Sequence, residues 1–188
     1  MKSIIISACM LLLIKGAFAQ HVEYGIKGGV NFSNISNDAA DTKADTKTGF
    51  HLGGLAHIHL TRSFAIQPEI VYSTQGAEYS DGKLKLNYIN VPVLAQYMFG
   101  RGFRLETGPQ LGILTTSEFK SGHTESDVDN FSNADFSWAF GASYLGHSGL
   151  GIDARYNLGL TDVTKSTTTD FQNRVWQVGL FYQFLHNK

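Results

Sequence analysis

The stretch Leu150-Gly151-Ile152-Asp153-Ala154-Arg155-Tyr156-Asn157-Leu158-Gly159-Leu160 decides the fold. Every even position is apolar, and every odd position is glycine, charged or amide. A period of two belongs to an extended strand with two unlike faces. Near the C-terminus the same rhythm returns, with Trp176, Val178, Leu180, Tyr182 and Phe184 alternating with Gln177, Gly179 and Gln183.

Six more runs of this kind fill the rest of the chain. Val22, Tyr24, Ile26, Val30 and Phe32 oppose Glu23, Lys27 and Asn31. Phe50, Leu52, Ala56, Ile58 and Leu60 oppose His51, His57 and His59, and Phe64, Ile66, Ile70 and Tyr72 oppose Gln67, Glu69 and Ser73. Val91, Val93, Tyr97 and Phe99 oppose Asn90 and Gln96. Upstream of them Leu84, Leu86 and Tyr88 have the opposite parity, which predicts a bulge near Tyr88-Ile89. Phe103, Leu105, Leu111 and Ile113 oppose Arg104, Glu106 and Gln110; Phe136, Trp138, Phe140 and Tyr144 oppose Ser137, Gly141 and Ser143. No stretch sustains apolar spacing at helical period. The expectation is an all-β chain of eight antiparallel strands.

Composition agrees. The 188 residues include 20 glycines and 13 phenylalanines but only 3 prolines, and 16% are charged. A length of this order suits one domain. The formal charge of -1 leaves no basic excess for nucleic acid, and the single cysteine, Cys9, forms no internal disulfide. Residues 1-19 read as a signal peptide: Lys2, an apolar run from Ile4 to Ile14, then Ala17-Phe18-Ala19 as the cleavage site. Residues 20-188 form the remaining domain, with 13 basic and 16 acidic residues. No later segment is apolar for long enough to be a transmembrane helix.

Connections alternate in length. Residues 61-63, 100-102 and 146-149 are tight, 80-82 is short, and 33-47, 115-135 and 161-173 are long. Short turns at one end and long loops at the other suit an up-and-down transmembrane β-barrel. Two features favour lipid over a soluble, lipocalin-like ligand binder. Large aromatics stand near the ends of the apolar faces, as in interfacial girdles. The other face is rich in glycine (Gly25, Gly29, Gly53, Gly108, Gly141, Gly151, Gly159, Gly179), which fits a crowded lumen and would only weaken a water-exposed strand.

On these grounds, and on Ile66-Gln67-Pro68-Glu69-Ile70-Val71-Tyr72 and Tyr88-Ile89-Asn90-Val91-Pro92-Val93-Leu94, the chain resembles the small outer-membrane β-barrel proteins of Bacteroidetes type, relatives of PorT among them. The ending Tyr182-Gln183-Phe184 looks like the aromatic-terminated last strand read by barrel-assembly machinery. The resemblance implies an outer-membrane protein in contact with lipid, with a structural, adhesion or partner-docking role through loops 33-47, 115-135 and 161-173. A component of a secretion apparatus is the main alternative, and a lipid-modifying barrel enzyme is a further one.

The candidate site is the lumen. Lys27, Glu69, Arg104, Glu106, Asp153 and Arg155 all share its parity and lie toward the tight-turn end. They read as a structural charge network filling the barrel. Glu69 with Glu106 is the pair to weigh for acid-base work. Eight strands leave an interior only just filled by side chains, so no open pore is expected. His57-x-His59 is a weak zinc candidate, since His51 stands about 20 Å further along the strand. Asp127-Val128-Asp129 lacks the glycine and final glutamate of a calcium loop. No cofactor and no catalytic residue are expected.

Overall fold

The computed structural model describes residues 22-37, 45-79, 82-121, 124-127, 134-161 and 171-184. Nine strands form: β1 Val22–Asn37, β2 Asp45–His59, β3 Phe64–Tyr79, β4 Gly82–Phe99, β5 Phe103–Ser121, β6 Thr124–Asp127, β7 Ala134–Leu145, β8 Leu150–Gly159 and β9 Phe171–Gln183. All except β6 build the wall. Each wall strand pairs antiparallel with its sequence neighbours, and β9 pairs with β1 from Gly25↔Gln183 to Asn37↔Phe171, closing an eight-stranded barrel. Closure leaves no unpaired sheet edge in the wall, which an apolar solvent demands.

The faces are inside-out relative to a water-soluble protein. Outward side chains include Ile70, 65% exposed, Ile152, Leu180 and Leu111, whereas Asn31, Ser73 and Gln183 are wholly buried inside. At the tight-turn end a ladder of rings runs from Phe64 through Tyr97, Phe99 and Phe103 to Tyr144, with centroids 4.9–6.0 Å apart. At the other end Phe50 stands 6.0 Å from Tyr72 and Tyr156 stands 4.8 Å from Trp176. These are the two interfacial girdles of a lipid-facing band. The one indole N–H in mid-wall is satisfied locally: Trp138 Nε1 donates to Thr107 Oγ1 at 2.8 Å. Gly102 closes its turn at φ +111°, where a Cβ would stand 2.2 Å from the Leu145 carbonyl oxygen.

Two sequence expectations change. First, β4 has no parity switch. Leu86, Tyr88, Asn90 and Leu94 all point inward, and Ile89 points out. The irregularity lies on the neighbouring strand: Asn87 pairs with Thr116 and Tyr88 with Leu114, so Thr115 of β5 is the extra residue. Thr115 Oγ1 donates to the Asn87 carbonyl at 2.9 Å. Apolar Leu86 and Tyr88 line the lumen there, which inverted the apparent faces of β4. Second, the strands outrun the alternating segments of about ten to thirteen residues that cross a membrane. β1 to β5 have 16, 15, 16, 18 and 19 residues. Residues 115-121 therefore continue β5, and β6 folds back on it from Glu118↔Asp127 to Ser121↔Thr124. The leader 1-19 and the remaining tips of the three long connections lie outside the described residues, as do His123, Asp129 and His186. His147 is exposed in its turn.

Candidate functional site

Four elements carry the charged centre of the lumen: Lys27 on β1, Glu69 on β3, Glu106 on β5, and Asp153 with Arg155 on β8. All five side chains are almost completely buried. Arg155 is the hub. Its Nη1 and Nη2 donate to Glu69 Oε2 and Oε1, each at 2.9 Å, from the far side of the barrel. Its Nε and Nη2 also donate to Glu106 Oε1 at 3.0 and 2.8 Å. Lys27 Nζ completes a belt, 3.4 Å from Glu69 Oε2 and 3.3 Å from Asp153 Oδ2. Two amides saturate the carboxylates further: Gln67 donates to Glu69 Oε1 and Gln96 to Glu106 Oε2, both at 2.8 Å.

Glycine makes the room for this belt. Gly141 pairs with both Glu106 and Arg155 across its two ladders. A Cβ there would lie 2.9 Å from Glu106 Oε1 and 2.9 Å from the Ala154 carbonyl. Asp153 is likewise paired with Gly179, and Lys27 with Gly53. Lys27, Glu106, Asp153, Arg155 and Phe181 line a cavity of about 10 Å³, at the lower limit of what admits one water.

Arg104 belongs to a separate layer nearer the tight turns. Its Nη2 donates to Gln183 Oε1 at 3.0 Å, and its guanidinium carbon stands 6.0 Å from the centre of the Phe181 ring. His57 and His59 pack edge-to-face with centroids 4.5 Å apart. Arg104 Nη1 is 3.5 Å from His57 Nδ1, so a metal dication on that imidazole would face a guanidinium. No cluster of three or more His, Cys, Asp or Glu positioned for a metal occurs among the described residues. Glu69 and Glu106, weighed above as an acid-base pair, share one guanidinium, that of Arg155.

A third layer, toward the long loops, escaped the sequence reading. Asn31 Nδ2 donates to the Phe50 and Thr74 carbonyls and to Ser73 Oγ, which turns its Oδ1 toward His51 Nδ1 at 2.8 Å and Gln177 Nε2 at 3.1 Å. His51 is thus held with Nδ1 as the donor. Its parity was visible in the sequence; its four-strand network was not.

No relative by sequence was found among the curated proteins. Solved structures are more informative. Ail of Yersinia pestis, bound to the heparin analogue sucrose octasulfate, aligns with a TM-score of 0.56 at 18% identity, over 87% of this chain and 99% of Ail. Neisserial surface protein A aligns with a TM-score of 0.63 at 13% identity, over 87% and 99% of the two chains. Likeness at this identity establishes the barrel fold alone. The sequence itself goes further, because residues 18-165 match one family and its strands place this wall in the outer membrane: the chain belongs to the Outer membrane protein beta-barrel domain family.

Proposed function

We propose that this barrel is a non-conducting, non-catalytic outer-membrane scaffold whose work is done outside the membrane, by docking or adhesion through its long-loop end. The observation that carries the reading is the Arg155 belt, which joins β1, β3, β5 and β8 across the lumen around a cavity of about 10 Å³. The 18- and 19-residue strands β4 and β5 support it too, since they project a paired sheet beyond the length needed to cross lipid. Ail, a barrel of the same shape, is an attachment invasion locus protein and has been seen with a sulfated saccharide analogue. Membership of a secretion apparatus, as in PorT, is one form that such docking takes. The reading includes export by the leader 1-19, with Gln20 as the first residue of the mature protein.

The experiment has two arms. In planar bilayers the refolded barrel is expected to show no single-channel steps, and ion conduction by the wild type would overturn the scaffold reading. On cells, residues 38-44, 128-133 and 162-170 are each replaced by a two-residue turn. Attachment to sulfated glycans or crosslinking to envelope proteins is expected to fall while the amount of folded barrel is unchanged. Undiminished attachment and crosslinking in all three variants would refute docking through the loops.

A further inference from the structure

The outer wall carries one feature that the lumen does not explain. On β9, Arg174 has the parity of Trp176, Val178 and Leu180, but it is half-buried, with its Nε covered, where those three are exposed. In register it pairs with Asn34 of β1 and Leu158 of β8. One step down the same strands, Trp176 pairs with Phe32 and Tyr156. Two rows result. A polar row contains Arg174, Asn34 and Thr46 of β2, and directly beneath it lies an aromatic row of Phe32, Trp176 and Tyr156. These six residues line one groove of about 530 Å³.

Height decides what can fill the groove. Arg174 lies ten residues from Phe184 at the tight-turn end, about 33 Å along the strand, or roughly 25 Å along the membrane normal at the usual tilt. That is the full thickness of the apolar band, so the guanidinium sits where hydrocarbon gives way to headgroups on the long-loop side. Short turns mark the periplasmic end of such barrels, so this is the outer leaflet. An arginine at this level meets phosphate as a matched, planar donor. Trp176 and Tyr156, 4.8 Å apart, offer flat apolar faces of the kind that stack on sugar rings.

We propose that this groove binds the phosphate-bearing saccharide headgroup of an outer-leaflet lipid, with Arg174 on the phosphate and the Trp176–Tyr156 pair beneath the sugar. The inference is independent of partner docking, since a barrel with no protein partner still carries the groove. The test is retention of lipid by the full barrel, counted by native mass spectrometry after extraction from phosphatidylcholine vesicles. Three probes are doped in separately: a diphosphorylated glucosamine-disaccharide lipid, its dephosphorylated form, and phosphatidic acid. The wild type is expected to retain the diphosphorylated lipid over its dephosphorylated form by about fivefold, the weight of one cation near an anionic surface. Arg174→Gln removes the preference, and Arg62→Gln in a tight turn leaves it intact. Heat-modifiable migration in SDS gels certifies that each variant is folded. An unchanged preference in folded Arg174→Gln overturns the proposal. So does equal retention of the dephosphorylated lipid, or of phosphatidic acid, by the wild type.

Discussion

Replacing Arg155 by methionine tests the belt where it is most connected. The substitution keeps an unbranched stem and removes four charge-assisted hydrogen bonds, two to Glu69 and two to Glu106. Among the five belt groups, two cations then become one against three carboxylates. Lys27 still reaches Glu69 and Asp153, but Glu106 keeps only its bond from Gln96. Removing one partner of a buried ion pair typically costs about 3–5 kcal/mol. Arg155→Met belongs at the top of that range, because Glu106 loses its cation outright while Glu69 is left to share Lys27 with Asp153. Glu106→Ala is a milder change, about 1–3 kcal/mol, since Arg155 stays bidentate on Glu69. The double variant Arg155→Met, Glu106→Gln is expected to recover part of the loss, which is a coupling that independent sites do not show. The assay is equilibrium unfolding in urea with the barrel in lipid vesicles, followed by the fluorescence of Trp138 and Trp176. Arg62→Ala, in an exposed turn, is the control and is expected to stay within about 0.5 kcal/mol of wild type. Losses at Arg155 and Glu106 no larger than at Arg62 would refute the reasoning. They would mean a lumen wet enough to solvate these charges.

Three further outcomes follow from the wall. Leu111, 45% exposed on the lipid face, is expected to lose about 2–4 kcal/mol on conversion to arginine at mid-depth, and indifference to that change in the same unfolding assay would reverse the assignment of faces. Gly141→Ala is expected to cost about 1–3 kcal/mol through overpacking against Glu106 and the Ala154 carbonyl, whereas Gly54→Ala, whose Cβ meets nothing nearer than 3.8 Å, is expected to be neutral; equal effects would remove the packing argument. Pro68, Pro92 and Pro109 stand on three adjacent strands, and beside each of them the ladder skips two residue pairs. Hydrogen exchange is therefore expected to be faster at the amides of His57, Val91 and Leu94 than at Val178 and Leu180, and uniform protection would show the wall unbroken there.

The barrel was legible because its signal is local. Each of the eight runs declares two faces within a few residues, and the glycine-rich face names the crowded side without any knowledge of neighbours. Legibility failed wherever one face stopped being uniform. Leu86 and Tyr88 are apolar and inward, so a rule that reads apolar as outward moved the irregularity onto the wrong strand. Beyond the lipid, as at 115-121, both faces of a strand meet polar surroundings; alternation vanishes although pairing continues, and the sequence looks like a loop.

The site was legible by membership more than by partnership, and the reason is stagger. Parity placed Lys27, Glu69, Arg104, Glu106, Asp153 and Arg155 on one face, but contact across a lumen depends on how far each strand is sheared against the next. Arg104 and Glu106 are two residues apart on β5, yet Arg104 turns to Gln183 while Glu106 takes the guanidinium of a strand two places round the barrel. Glu69 meets that same guanidinium from β3. A barrel this narrow makes such long reaches workable only where the neighbouring strand offers no side chain. The ladder puts Gly141 beside both Glu106 and Arg155, and Gly179 beside Asp153. The glycines and the charges are therefore one device. The same logic hid Arg174: the last run begins at Trp176, and only the register that sets the arginine above Trp176 and beside Asn34 makes it part of a groove.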